Sequence, residues 1–360
     1  MPKSYCAILL SLALVLAASA QAPAGGNGDG GPDDRQVEAA IKGGLAWLEK
    51  NQVKQGDRAG SWDCVRYRSA VASLAGLAFL ANGVKPGEGD YGRAVDRAMA
   101  YVKGTMSPDG YLGARDQQMY VHAICSLFGL SYLGTTETPE KEQELAAWCR
   151  KSIELILRAQ RVRKPPQARG GWRYAPDTSA SDLSVTSWML LTLHAARQCG
   201  FEVDPRSIDA GLKYVNRAFR RQEELIRDAG GKVVGVRRSR GFLYRVGTST
   251  DPERAATGVA VFIKSLLEPD AGKKIQESLP LLTQDPPNWD GDQYGGYFFF
   301  ASFYITQGMF QIGGEPWQKY ARQIKQELIT HQKGDGSWGF PESNKHQSRE
   351  AGYGYATAME

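Results

Sequence analysis

One short pattern constrains the fold of this chain more than any other feature: a glycine one or two residues before an aromatic residue, which recurs six times. Helix-like sequence precedes each turn, and a second helical segment follows most of them. Such a repeat is typical of architectures in which one supersecondary unit is stacked many times. Glycine is abundant for the same reason, with 41 residues in the chain. The six aromatic positions are Trp62, Tyr111, Trp172, Phe242, Tyr297 and Trp338.

The segments on either side of the turns differ in their apolar pattern. Before a turn, apolar residues fall at helical intervals on one face, as with Ile41, Leu45 and Leu48. After a turn the sequence is apolar nearly all round, as in 120–133 and 185–195. An amphipathic helix lies at a surface and an all-round apolar helix is buried. We therefore predict an all-α protein, an α/α toroid of about six outer–inner helix pairs, with an incomplete last repeat and no strands.

The N-terminus predicts export. Lys3 precedes an apolar run that ends near Ala18, and Ala18-Ser-Ala20 supplies the small residues of a cleavage site. We predict a signal peptide over 1–20, a flexible Gly/Pro/Asp-rich leader over 21–35 and the toroid over 36–360. The apolar run is too short for a permanent membrane span. The expected location is therefore secreted or periplasmic.

Composition narrows the function classes. A net charge of +5, from 44 basic and 39 acidic residues, gives no case for a nucleic-acid binder. The four histidines show no metal-ligand spacing, so we expect neither a metal nor a cofactor. An even number of exported cysteines permits two disulfides, and buried thiols are the alternative. These cysteines are Cys64, Cys125, Cys149 and Cys199.

Three turns also carry a glutamine before the tryptophan. The pairs are Gln52 with Trp62, Gln160 with Trp172, and Gln332 with Trp338. This pattern resembles the QW repeat of squalene and terpene cyclases, which protein prenyltransferase β subunits share in weaker form. The resemblance covers roughly 36–360 and implies a structural role for these six residues. The glutamine amide would satisfy helix-end backbone groups, and the tryptophan would cover it.

This sequence does not match the catalytic motifs of that family. Its Asp-x-Asp-Asp-Thr motif corresponds to Asp182-Leu-Ser184-Val-Thr186, so Ser184 stands where the family carries its proton donor. Protonation of an alkene needs a strong desolvated acid, which a serine cannot be. The Asp-x-Cys zinc ligands of the prenyltransferases are also absent. Asp182 reads equally well as a helix N-cap.

In this fold the starts of the inner helices face the central cavity, and the candidate site residues lie there. The candidate catalytic residues are Asp182 and His122, which neighbouring repeats could bring into a hydrogen-bonded pair. A satisfied core histidine is the alternative for His122. Two basic clusters, 161–173 and 237–245, read either as solvated loops or as a patch for a diphosphate, uronate or phospholipid. The candidate substrate-binding residues are Tyr120, Ser184, Arg173, Arg254, Tyr297 and Tyr353.

These observations favour a secreted toroid that binds a ligand or partner in or around its cavity without cyclase chemistry. The expected partner is a hydrophobic or anionic small molecule, a glycan or a protein. The alternative is an active enzyme with an altered site, either terpenoid cyclase- or prenyltransferase-like, or a polysaccharide lyase or hydrolase. A dry aromatic cavity would favour an isoprenoid, and a wet cleft with paired carboxylates would favour a glycan.

Overall fold

The computed structural model describes residues 31–112, 119–268, 271–291, 297–342 and 345–359. Within these ranges the chain forms twelve α-helices and one two-stranded hairpin. None of the described helices is long and apolar enough to cross a bilayer. The predicted signal peptide and most of the predicted leader lie outside the described residues.

The helices alternate between an outer and an inner layer. Every residue of 183–193 in the third inner helix is buried, whereas the last outer helix buries only Tyr320, Ala321 and Ile324. Odd-numbered helices are outer and even-numbered helices are inner. In chain order they are α1 Asp34–Asn51, α2 Arg68–Ala81, α3 Gly89–Gly104, α4 Met119–Tyr132, α5 Pro139–Gln160, α6 Leu183–Gln198, α7 Pro205–Arg217, α8 Arg254–Leu267, α9 Gly272–Leu282, α10 Phe298–Ile312, α11 Gly314–His331 and α12 Lys345–Met359.

The inner helices form a closed ring. Each packs on the next, and α12 packs on both α10 and α2. The last turn also bonds to the first helix, since the Gln332 amide donates to the Ala40 carbonyl at 2.8 Å. These contacts confirm the predicted α/α toroid of six helix pairs. The final inner helix begins at Lys345, earlier than the sequence indicated, and Gly352 bends it with a φ of 70°.

A β-hairpin interrupts the fourth repeat, so the prediction that the chain holds no strands is wrong. Strands β1 Phe219–Arg227 and β2 Val233–Phe242 pair antiparallel between α7 and α8. The Asp228 carboxylate accepts from the backbone N–H groups of Gly230 and Lys232, which shapes the connecting loop. Arginine recurs in both strands and β1 also holds two glutamates, so the apolar alternation that marks a half-buried strand is missing.

The three glutamine–tryptophan turns share one set of hydrogen bonds. Each glutamine Nε2 donates to the carbonyl of its turn glycine and to a carbonyl of the next outer helix. Each tryptophan indole donates at 2.8 Å to its own preceding outer helix, so a turn joins two outer helices to one another. The glutamine acceptors are Gly60 and Ala94 for Gln52, Gly170 and Ser207 for Gln160, and Gly336 and Ala40 for Gln332; the indole acceptors are Leu48 for Trp62, Ile156 for Trp172, and Leu328 for Trp338.

The turn glycines allow this close approach. Gly170 has a φ of +85°, and a Cβ there would stand 2.1 Å from the carbonyl oxygen of Ala210 in α7. Gly60 has a φ of +93° and faces the Arg97 carbonyl in the same way, at 2.0 Å. A side chain would be strained in its backbone conformation and would also clash with the neighbouring helix. Glycine at these corners therefore sets the spacing of the outer helices.

Candidate functional site

The residue at the fourth position of three inner helices accepts a backbone hydrogen bond from the turn before it. The Thr186 hydroxyl accepts from the Trp172 N–H at 3.0 Å, and the Thr257 hydroxyl accepts from the Phe242 N–H at 2.9 Å. In α4 the same position holds His122, whose Nδ1 accepts from the Leu112 N–H at 3.2 Å. His122 therefore stands where the third and fourth repeats place a threonine.

His122 has no nitrogen left for catalysis. Its Nε2 lies 3.0 Å from the Ser152 carbonyl oxygen in α5, to which it donates. The side chain is fully buried, and burial lowers the pKa of His122 to about 4, so the ring is neutral. Both nitrogens bond to the backbone and neither bonds to Asp182. The structure does not form the predicted His122–Asp182 pair.

Asp182 is the N-cap of α6. Its Oδ1 accepts from the Val185 N–H at 2.8 Å and from the Ser184 hydroxyl at 2.9 Å. The side chain is fully buried. Burial raises the pKa of Asp182 to about 6, although these hydrogen bonds and the Arg173 guanidinium act in the opposite direction. This carboxyl group can therefore change its charge close to neutral pH.

The second carboxylate oxygen of Asp182 is the unusual atom of the site. Oδ2 is buried and has no hydrogen-bond partner among the described residues. The Nη1 atom of Arg173 lies 3.9 Å from Oδ2. It is also buried and has no hydrogen-bond partner among the described residues. This separation is too long for a hydrogen bond, but one polar atom placed between the two groups could bond to both. Buried polar atoms are rarely left unpaired, so this pair is a candidate position for one bridging polar group, from a water molecule or from a ligand.

A hydrogen-bond chain links Asp182 to a tyrosine at the surface. The Tyr120 hydroxyl donates to the Ser184 hydroxyl, which in turn donates to Asp182. Tyr120 is half-buried as a residue, so the chain runs from the fully buried carboxylate to a side chain that reaches the surface in part. Burial and the nearby charge of Asp182 raise the pKa of Tyr120 well above its usual value. Tyr120 is therefore a proton-bearing donor at neutral pH.

Two further tyrosines stand beside this chain. The Tyr174 and Tyr244 hydroxyls lie 2.6 Å apart, and the Tyr174 ring lies 6.0 Å from that of Tyr120. The Arg173 guanidinium also lies over the Tyr174 ring, 4.7 Å from its centroid. Burial raises the pKa of Tyr244 first, and the charge of Asp182 adds to that increase. All three tyrosines are partly exposed. The charge of Asp182 acts on the pKa of both Tyr120 and Tyr244, so these side chains lie near the buried carboxylate.

Loops from the third and fourth repeats hold these groups in place. The Met119 N–H at the start of α4 donates to the Tyr174 carbonyl at 2.9 Å. The Leu183 N–H at the start of α6 donates to the Tyr244 carbonyl at the same distance. Each loop thus lies against an inner helix of the preceding repeat. We call the assembled group the rim site, comprising Tyr120, Arg173, Tyr174, Asp182, Ser184 and Tyr244.

Deeper in the ring, aromatic side chains fill the space. Trp188 lies about 9 Å along the axis of α6 from Asp182, at 1.5 Å per residue. Its ring stacks on Phe303 of α10, with centroids 6.2 Å apart and planes 9° apart. Because α8 separates α6 from α10 in the ring, this contact reaches across the ring's inner side. Trp188 is only 4% exposed, so at this level the centre is packed.

The other predicted binding residues have separate surroundings. Arg254 is buried and donates to the carbonyls of Leu282 and Asp285, which ties α8 to the end of α9. Tyr353 is exposed, and the Lys333 ammonium lies 3.9 Å from its ring centroid. Tyr297 is exposed at the start of α10. The structure therefore brings Tyr120, Ser184 and Arg173 to Asp182. Arg254, Tyr297 and Tyr353 lie elsewhere and have other neighbours.

Sequence reasoning missed Tyr174 and Tyr244, although one signal was available. Each stands two residues after the aromatic residue of its turn, Trp172 and Phe242 respectively. The shared offset places both tyrosines just past a turn, where the chain returns to the inner layer.

The site shows no metal-binding geometry within the described residues. There, no three His, Cys, Asp or Glu side chains could hold a metal ion together. The charged side chains that act on the pKa of Asp182 are both cations, Arg173 and Arg245. Cys64, Cys125 and Cys149 are buried thiols, and Cys199 is a half-buried thiol.

The chain resembles solved structures of two enzyme classes. It shares a TM-score of 0.53 and 11% identity with the apo type II terpene cyclase MstE from Scytonema, covering 91% of this chain and 98% of that one. It shares a TM-score of 0.56 and 10% identity with an inactive variant of the α-1,6-mannanase GH76A of Salegentibacter sp. HEL1_6 in complex with α-1,6-mannotriose, covering 89% and 97%.

No family model matches the chain, and no curated protein matches it by sequence. At identities this low, the structural likeness shows the fold alone. One toroid therefore serves both a terpene cyclase and a glycan-active enzyme, and the function of this chain has to be argued from its own site.

Proposed function

We propose that this protein binds a hydroxyl-bearing small ligand, of which an oligosaccharide is the leading class, at the rim site and without turnover. We further propose that it does so outside the cytoplasm, after export directed by residues 1–20. The observation that carries the proposal is the buried pair formed by Asp182 Oδ2 and Arg173 Nη1, 3.9 Å apart, with no hydrogen bond on either atom among the described residues.

A hydroxyl group is the simplest partner for this pair. It can donate to the carboxylate and accept from the guanidinium at once. Hydrogen bonds to charged groups are stronger than those between neutral groups. Three tyrosines add hydroxyl groups and ring faces beside the pair. A ligand that offers several hydroxyls and flat apolar faces, as a sugar does, suits such a surface.

The same geometry argues against the family's cyclisation chemistry. Ser184 stands at the proton donor's position, and its hydroxyl already bonds to both Tyr120 and Asp182. The packed aromatic layer around Trp188 also occupies the space that a long hydrocarbon would need. Glycoside hydrolysis commonly uses two carboxyl groups, whereas the charged groups that act on the pKa of Asp182 are Arg173 and Arg245. These features support binding rather than catalysis.

A second candidate, an enzyme with an altered site, is favoured by one observation. The pKa of Asp182 is raised to about 6, and a hydrogen-bond chain connects its carboxylate to half-buried Tyr120. A carboxyl group poised near neutral pH is suited to general acid or base work. Turnover of a bound ligand would support this candidate.

A binding screen with product analysis tests the two candidates together. The full chain is titrated calorimetrically with neutral and acidic oligosaccharides and with isoprenoid alcohols, and each mixture is analysed by mass spectrometry. We expect at least one oligosaccharide to bind unchanged, and Asp182→Asn to weaken its binding at least tenfold. Asp177→Asn, an exposed carboxylate in the same loop, is the matched control and should bind normally. Binding of isoprenoids alone would contradict the proposal.

A further inference from the structure

The β-hairpin between α7 and α8 is a part of the molecule that the proposed function does not use. It belongs to the outer-to-inner connection of the fourth repeat, and β2 ends at Phe242, two residues before Tyr244 of the rim site. The hairpin therefore starts and ends at the rim that carries the site.

Charge is concentrated in this hairpin. Residues 219–242 contain seven basic and three acidic residues, a net charge of +4, while the whole chain carries +5. The remainder of the protein is thus close to neutral. Arg220, Arg221 and Lys232 are exposed, and Arg221 forms an ion pair with Glu223 of the same strand at 3.2 Å. Arg220 and Lys232 therefore present positive charge to solvent.

The base of the hairpin is firmly attached to the body. The Phe219 and Phe242 rings lie 5.0 Å apart and close its base. Arg240 forms an ion pair with Glu277 of α9 at 2.7 Å, and the Lys274 ammonium lies 5.9 Å from the Phe219 centroid. The strands are thereby presented in a defined position.

The distal end of the hairpin is apolar and exposed. Val233, Val234 and Val236 are 42%, 59% and 44% exposed, and all three follow the Asp228 loop. Single exposed valines are ordinary on a protein surface, but three within four residues concentrate apolar surface at this end of the hairpin. A basic stem with an apolar tip is amphipathic along its length.

This arrangement matches one partner better than others. At an anionic bilayer, apolar side chains enter the boundary between headgroups and acyl chains, while arginine and lysine bond to lipid phosphates. Each basic residue near such a surface contributes about 1 kcal/mol. A soluble polyanion would engage the arginines and leave the valines exposed.

We propose that the hairpin docks the protein onto a membrane surface that contains anionic phospholipid. The valine tip inserts at the headgroup boundary and the basic stem binds the phosphates. This inference is independent of the ligand at the rim site.

Vesicle sedimentation tests the proposal. The full chain is mixed with vesicles of phosphatidylcholine alone or of phosphatidylcholine with phosphatidylglycerol, at low and high salt. We expect binding only to the anionic vesicles and its loss at high salt. Val233→Ser/Val234→Ser and Arg220→Glu/Lys232→Glu should each weaken that binding at least tenfold. The N-terminal apolar segment is common to all variants, so differences among them report on the hairpin.

The control carries the same charge change elsewhere. Arg35→Glu/Lys319→Glu alters two exposed residues on α1 and α11 and should bind the vesicles like the wild type. Circular dichroism establishes that each variant is folded. Equal binding to neutral and anionic vesicles would overturn the proposal, as would undiminished binding by both hairpin variants. Capture by a soluble polyanion or self-association of the chain, with no vesicle binding, would overturn it as well.

Discussion

His122 and Asp182 are both buried near the starts of neighbouring inner helices, and their surroundings differ in one respect. Both His122 nitrogens bond to backbone groups, at Leu112 and Ser152. Asp182 uses Oδ1 as a helix cap, while Oδ2 remains unpartnered among the described residues and faces Arg173. Burial and a shifted pKa are common to the two groups. What separates a structural group from a candidate functional one is whether every polar atom is satisfied.

His122 also makes the helix-to-helix contact that a glutamine makes in another repeat. In the third turn, Gln160 donates to the Ser207 carbonyl of the next outer helix. The second turn lacks this glutamine, and His122 donates to the Ser152 carbonyl of the next outer helix instead. The imidazole thus combines the threonine's task, accepting from the turn, with the glutamine's task of joining layers.

The largest expected effect tests the structural half of this comparison. His122→Ala removes two buried hydrogen bonds and leaves a cavity, so it should lower the free energy of unfolding by about 3 kcal/mol. Urea denaturation measures this change. His194→Ala, a half-buried histidine on α6, is the control and should cost less than about 1 kcal/mol. Equal stability of His122→Ala and the wild type would contradict the assignment.

Asp182 and His122 should also make the free energy of unfolding depend on pH in opposite directions. The folded pKa of Asp182 is raised from 3.8 to about 6, so its contribution is present below pH 3.8 and is lost as pH rises through about 6. The folded pKa of His122 is lowered from 6.5 to about 4, so its contribution is present above pH 6.5 and is lost as pH falls through about 4. Each change is worth about 3 kcal/mol.

Differences between variants isolate these contributions. The unfolding free energy of the wild type minus that of Asp182→Asn should fall as pH rises from 4 to 7. The wild type minus His122→Thr should rise over the same interval. Chemical denaturation at several pH values measures both differences. Two slopes of the same sign would show that one of the two environments is misassigned.

Arg173, which forms the buried pair with Asp182 in the rim site, should affect ligand binding more than it affects stability. Arg173→Met keeps the apolar stem and removes the guanidinium beside Asp182, so ligand affinity should fall about tenfold, or about 1.4 kcal/mol. Calorimetric titration provides the value. Arg163→Met, an exposed arginine earlier in the same connection, should leave affinity unchanged. An equal loss in both variants would point to general charge rather than to this pair.

The smallest effect is expected at the outer end of the hydrogen-bond chain. Tyr120→Phe removes the donor to Ser184 but leaves Asp182 and Arg173 in place, so affinity should fall about threefold. Its unfolding free energy should change by at most about 1 kcal/mol. Tyr353→Phe, at an exposed tyrosine, is the control for both measurements. A tenfold or larger loss in Tyr120→Phe would make this hydroxyl a primary ligand contact.

Much of the fold could be predicted because each repeat can be recognised from local sequence patterns. Glycine corners and the contrast between amphipathic and all-round apolar helices identify six pairs without long-range information. The hairpin could not be found in this way, because its strands are built from arginine and glutamate rather than from alternating apolar residues. The Gly230-Gly231 pair beside Val233 was the available signal for a hairpin.

The site was predictable only in part. Asp182, Ser184 and Tyr120 were found because helix starts converge on one rim of a toroid. The role of His122 depended on which backbone groups surround it, and only the folded structure shows them. Arg254 has a similar position in sequence, yet it bonds to the end of α9. Position in a repeat predicts where a side chain begins, but not which neighbour it contacts.

The central claim is that the carboxylate of Asp182 receives a hydroxyl of the ligand, and the pH dependence of affinity tests it most directly. The oligosaccharide that binds in the screen is titrated calorimetrically from pH 5 to pH 8 against the wild type and Asp182→Asn. The account predicts that wild-type affinity rises as pH passes through about 6, because the ionised carboxylate is the better acceptor, and that the Asp182→Asn profile is flat. The same pH profile in both proteins would contradict the claim.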